Sequence, residues 1–146
     1  MKKLIISLML CLSTSVFANI SKVQTQIIFN RLIKANHIQA TLNFDKNNEK
    51  INAYGYPGHV VILGGLLKYA DKDIMIYVLS HELGHATGHV SELEADRFSG
   101  RIGAAAGYNV CPGAKKLLLG IAIGGDGIHP NGDVRLKAIC KSVIEK

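Results

Sequence analysis

The chain has no tryptophan, three prolines and only 6% aromatic residues in 146. Without aromatics interleaved among basic residues there is no stacking platform of the kind that single-stranded nucleic-acid binding uses. Charge adds little support for such a partner. The formal net charge is +6, and it falls to +4 once Lys2 and Lys3 are set aside with the leader described below. The remaining cations read as a solvated surface, and no nucleic-acid partner is expected. No apolar run reaches the ~20 residues that a bilayer span requires; residues 117–125, LLLGIAIGG, are too few. Repeats, linkers and low-complexity tracts are also missing. The length suits one domain with its own core, and no stable membrane span is expected after leader removal.

The N-terminus reads MKKLIISLMLCLSTSVFANI. Lys2 and Lys3 form a positive segment, Leu4 to Leu12 a short apolar one, and Val16-Phe17-Ala18 a small-residue cleavage site. The expected organisation is a signal peptide over 1–18 and one domain over 19–146, in a bacterial periplasm or secreted. Leu10 stands where a lipid-attachment site before Cys11 would want a small residue, which argues against a lipoprotein. Removal of the leader leaves Cys111 and Cys140, an even number in a disulfide-permissive compartment. They are predicted to bond and to tie the segment after Gly107 to the last helix.

Hydrophobic periodicity predicts an amphipathic helix over about 20–35, with Ile20, Val23, Ile27 and Ile28 at helical spacing. ATLNFD, KINAYGY and HVVILGG then read as three short strands of a small antiparallel sheet, with KNNE as a turn. Asp71 caps a long helix through IMIYVLSHELGHA; Gly88 ends it, and Ser91 with Glu94 forms a capping box for the next. A last helix begins near Asp133. The fold class expected is α+β, a small antiparallel sheet packed on a metal-binding helix pair.

Three histidines and four carboxylates crowd into residues 81–96, HELGHATGHVSELEAD. On a helix His81 and His85 stand one turn apart on one face, and Glu82 projects beside them toward a metal-bound water, the H-E-x-x-H zinc-peptidase arrangement. A catalytic zinc needs a third protein ligand. His89 would share the face only if the helix continued through Gly88, so Glu92, opening the next helix, is the better candidate. Asp96, four residues on, lies on the same face and can orient a ligating histidine. Glu94 is explained by its capping role. His37 and His59 read as structural or solvated.

HELGH followed by Glu92-Leu93-Glu94-Ala95-Asp96 resembles the paired motifs of the gluzincin metallopeptidases that include the CAAX prenyl endopeptidases, heat-shock membrane proteases and periplasmic chaperone-proteases, family forty-eight of the metallopeptidases. INAYGYPGHVVILGGLL resembles that family's Asn-Ala strand and the segment before its zinc helix, and His129-Pro130 with Arg135 resembles its C-terminal His-Pro and Arg pair. The resemblance implies a zincin-like core in which His81, His85 and Glu92 bind one zinc per chain. It also implies Glu82 as base, Asp96 behind the ligands, His129 over the metal and Arg135 supporting the transition state. This chain departs from the family in having only residues 86–91 where members usually insert a long segment.

The function expected is an exported zinc-dependent endopeptidase acting on peptides or unfolded protein, in envelope protein quality control. The alternative is a non-catalytic zinc-binding or chaperone-like module using the same site, closed by His129 or His89, with a protein partner.

Overall fold

The computed structural model describes residues 19–120 and 131–144. The leader expected over 1–18 and His129 lie outside the described residues. Among the described residues nine elements follow in the order α1 (Lys22–Ala35), β1 (Thr41–Asp45), β2 (Ala53–Tyr56), β3 (His59–Leu63), α2 (Gly64–Tyr69), α3 (Lys72–Ala86), α4 (Glu92–Ala105), α5 (Cys111–Gly120) and α6 (Gly132–Ile144). The class is α+β, as expected.

α3 is the axis of the molecule. Its residues from Ile74 to Ala86 are buried almost without interruption, so it is covered on every side rather than along one stripe. β2 and β3 cover one flank, α4 and α5 others, and α1 packs on both α3 and α4. The Asp71 side chain starts the helix by accepting from the Ile74 N–H at 2.9 Å. Lys116 of α5 reaches both Asp71 and Asp73 at 2.7 Å, fixing α5 across that end. The expected disulfide is present: Cys111 and Cys140, with Cα atoms 5.4 Å apart, join the start of α5 to α6.

The sheet is mixed, not antiparallel. Its order is β1-β3-β2; β2 and β3 form the antiparallel hairpin across Pro57-Gly58, whereas β1 runs parallel to β3. Alternating side chains encode which face is buried but not strand direction, and KNNE does not close a hairpin. Residues 46–52 instead cross the end of β3, where Gly65 donates its N–H to the Asn48 carbonyl at 3.1 Å. Both glycines that open α2 lie directly beneath this crossing, with the carbonyls of Lys46 and Asn48 against Gly64 and those of Glu49 and Lys50 against Gly65. That same crossing ends the third strand at Leu63, so the GG of HVVILGG belongs to a short helix.

α1 also differs from expectation in its buried face. Ile20 and Ile28 are buried, but Val23 and Ile27 are 70% and 59% exposed. The inward stripe is Thr25, Ile28, Phe29 and Leu32, with i, i+3, i+4, i+7 spacing. Ser21 is the N-cap, so Ile20 precedes the helix and does not set its phase.

Candidate metal centre

Two local features bring α3 and α4 together as one site. Gly88, at φ 102°, takes the left-handed region that a side chain disfavours and turns the chain sharply after α3. Ser91 then caps α4, accepting from the Glu94 N–H at 3.2 Å while Glu94 returns a bond to the Ser91 N–H. The short connection therefore reaches without a long insertion, and Glu92, the first residue of α4, swings back over His81 and His85. Glu94 points away into its capping role.

The three side chains converge. His81 Nε2 and His85 Nε2 are 3.2 Å apart; Glu92 places Oε2 3.3 Å from the first and Oε1 3.4 Å from the second. The two rings thus face different oxygens of one carboxylate, and with one ligand atom taken from each residue all three lie within 4.8 Å of one another, close enough to converge on one metal ion. Among the described residues this is the group of histidine, cysteine and acidic side chains able to hold a metal ion.

The far side of each ring is already committed. His81 Nδ1–H donates to Asp96 Oδ1 at 2.8 Å, and His85 Nδ1–H donates to the His89 carbonyl at 2.8 Å. With Nδ1 as the donor in each neutral ring, both Nε2 lone pairs face the cluster. His89 is absent from the triangle: its ring packs on Phe98, with centroids 4.4 Å apart. His59 bonds Thr41, and His37 sits just beyond α1; neither reaches the site.

Asp96 is fully buried and anchors a wider network. Arg135 of α6 donates from Nε to Asp96 Oδ2 at 2.8 Å and from an Nη to Glu92 Oε2 at 3.0 Å. Tyr77 donates to Asp96 Oδ1 at 3.0 Å and accepts from Arg135 at 3.0 Å. Burial works to raise the Asp96 pKa, but His81 and Arg135 outweigh it and hold the carboxyl below its ordinary value. The two histidines hold Glu92 well below the usual carboxylate range. For His81 burial disfavours the charged form, yet Asp96 and Glu92 raise its pKa to about 9 in the metal-free site. Buried Tyr77 is pushed well above 10.0 and stays a hydrogen-bond donor.

Glu82 lies on the wall of a cavity of about 510 Å³ that opens onto this triangle. Burial pushes its carboxyl up, with His81 and His85 opposing, and the Gly55 N–H of β2 donates to it. β2 is an edge strand, and it approaches α3 so closely that any side chain at position 55 would collide with the Glu82 carbonyl. Beyond the polar end, Ile51, Leu66, Val78, Leu117 and Leu118 line the apolar part of the cavity.

Of the residues singled out in the sequence, His81, Glu82, His85, Glu92, Asp96 and Arg135 thus meet in one place. Tyr77 was missed, although its position four residues before His81 puts it on the same helical face.

The family model described as Peptidase family M48 matches residues 18–90, half of the chain, and ends just before Glu92. No curated protein and no solved structure matches the chain significantly.

Proposed function

The chain belongs to peptidase family M48, and from that premise we propose that it is a zinc-dependent endopeptidase. The observation that carries this reading is the convergence of two Nε2 atoms, 3.2 Å apart, on the two oxygens of the Glu92 carboxylate, at 3.3 and 3.4 Å. In it His81, His85 and Glu92 hold the ion, one per chain. A bound zinc supplies Lewis acidity toward a water molecule and a peptide carbonyl.

The protein's own residues do the rest. Glu82 takes a proton from the attacking water and delivers it to the leaving amine, and its upward-shifted carboxyl suits that exchange. Asp96 fixes the His81 ring, and Arg135 both braces Asp96 and sits beside Glu92, adding positive charge at the site. His129 is proposed to face the metal from the chain before α6. An extended peptide laid along edge strand β2 would be held by main-chain hydrogen bonds, as an added strand. Export to a periplasm or medium is part of the proposal, and the Cys111–Cys140 disulfide favours an oxidising compartment. No described helix is long and apolar enough to cross a membrane. Within such a compartment, unfolded envelope protein is the proposed substrate.

The test is cleavage of a peptide library, read by mass spectrometry, using zinc-loaded protein beside its Glu82→Gln variant. Cleavage by the first and not the second is expected. Retained cleavage by Glu82→Gln overturns its assignment as base. Absence of cleavage by both, with zinc bound, would favour the non-catalytic module.

A further inference from the structure

Tyr77 stands one turn before His81 on α3 and is 2% exposed. Its hydroxyl donates to Asp96 Oδ1 at 3.0 Å and accepts from Arg135 Nη2 at 3.0 Å. A buried phenol ordinarily finds a partner. This one joins two groups that each touch a different residue of the metal triad, since Asp96 bonds His81 and Arg135 pairs with Glu92. The ring also lies on the wall of the metal-facing cavity, tilted against His81 with centroids 5.7 Å apart.

Two other buried hydroxyls on the same helices behave differently. Ser80 donates to the Ile76 carbonyl at 2.8 Å and Ser99 to the Asp96 carbonyl at 2.7 Å, each within its own helix. Such bonds satisfy a buried polar atom locally. The Tyr77 hydroxyl instead ties α3 to both α4 and α6.

A count of hydrogens gives that tie a consequence. Arg135 Nη2 carries two hydrogens and has three oxygens in reach: Asp96 Oδ1 at 3.1 Å, Tyr77 Oη at 3.0 Å and Glu92 Oε2 at 3.0 Å. The Asp96 bond belongs to a fork, because Arg135 Nε holds Asp96 Oδ2 at 2.8 Å. Tyr77 and Glu92 therefore compete for the second hydrogen. Without the hydroxyl it would pass to Glu92 alone, a charge-assisted bond that draws the carboxylate toward the guanidinium and away from an ion. Asp96 is affected less, since it keeps its bonds to His81 and Arg135.

We propose that Tyr77 is a positioning residue whose hydroxyl takes up an Arg135 hydrogen and so leaves the Glu92 carboxylate available to the metal. This inference rests on the proposed metal site and does not depend on turnover. A tyrosine that only filled the core would change stability and leave the metal site as it was.

The experiment is zinc affinity of the full chain, its Tyr77→Phe variant and its Ser80→Ala variant, measured by competition with a chromophoric chelator. The visible absorption spectrum of each protein loaded with cobalt(II) is recorded alongside. Phenylalanine keeps the ring and loses only the hydroxyl, whereas Ser80→Ala removes a buried hydroxyl from the same helix outside the network. Expected is zinc held about ten-fold more weakly by Tyr77→Phe with an altered cobalt spectrum, and wild-type behaviour of Ser80→Ala in both, whatever the loss of thermal stability in each. Unchanged affinity and spectrum in Tyr77→Phe, or an equal fall in Ser80→Ala, overturns the role of Tyr77. Failure of the wild type itself to bind zinc overturns the metal site, and this inference with it. If Tyr77→Phe does not fold, wild-type protein carrying 3-fluorotyrosine at its five tyrosines replaces it. The most solvent-protected fluorine resonance is then expected to shift when zinc is added, and an unmoved resonance overturns the proposal.

Discussion

Helix α4 presents two faces to two different environments. Inward, Glu92 and Asp96 meet His81, His85, Arg135 and Tyr77, every one at hydrogen-bonding or ion-pair distance. Outward, one residue along from each, Leu93 and Arg97 line a groove shared with Lys137 and Lys141 of α6. The difference is what burial demands. A buried charge without a partner costs several kcal/mol, so the inner face is over-connected; the outer face is wetted, and water screens its charges. Buried polar atoms bear this out, none among the described residues being without a hydrogen-bond partner.

The sharpest way to break the inner face is Asp96→Ala. It leaves Arg135 buried without its main partner, and a loss of about 3–5 kcal/mol in unfolding free energy is expected from urea titration. Zinc affinity should fall by about 10–100-fold, because the His81 ring loses the acceptor that orients it.

A second effect is a pH dependence in the metal-free protein. The His81 pKa is raised from 6.5 to about 9 on folding. Its contribution to stability is therefore complete below pH 6.5 and is lost as pH rises through about 9. Unfolding midpoints of metal-free protein should fall across that window. Zinc-loaded protein should not show the fall, since a metal-ligating imidazole is neutral and zinc affinity rises with pH.

Smaller is the cap at the other end of α3. Asp71→Ala removes the bond to the Ile74 N–H and one partner of Lys116, and about 1 kcal/mol of stability should go with it, without change in zinc content. The smallest effect belongs to the outer face: Arg97→Gln should shift stability by no more than about 0.5 kcal/mol. A large loss there would remove the contrast between the two faces.

The same contrast explains what the sequence disclosed. His81, Glu82, His85, Glu92 and Asp96 sit within sixteen residues on two helices whose boundaries are marked by Gly88 and the Ser91–Glu94 box. Helical spacing and one turn then determine where their side chains point. The Cys111–Cys140 pairing was legible for another reason, these being the two cysteines outside the expected leader. Features that depend on distant chain segments were not legible. The parallel pairing of β1 with β3 follows from the path of residues 46–52 over Gly64 and Gly65, which no local pattern encodes. Tyr77 reads as one more apolar core residue until α6 places Arg135 against its hydroxyl. The buried phase of α1 was misread because Ile20, before the cap, was counted into the helix.

Zinc content after gel filtration, measured on wild-type protein and its Glu92→Ala variant, bears most directly on the central claim that α3 and α4 together build one metal site. One ion per chain in the wild type and none retained by the variant is the expected result. Equal retention by both would mean that Glu92 is not a ligand and would contradict the two-helix site.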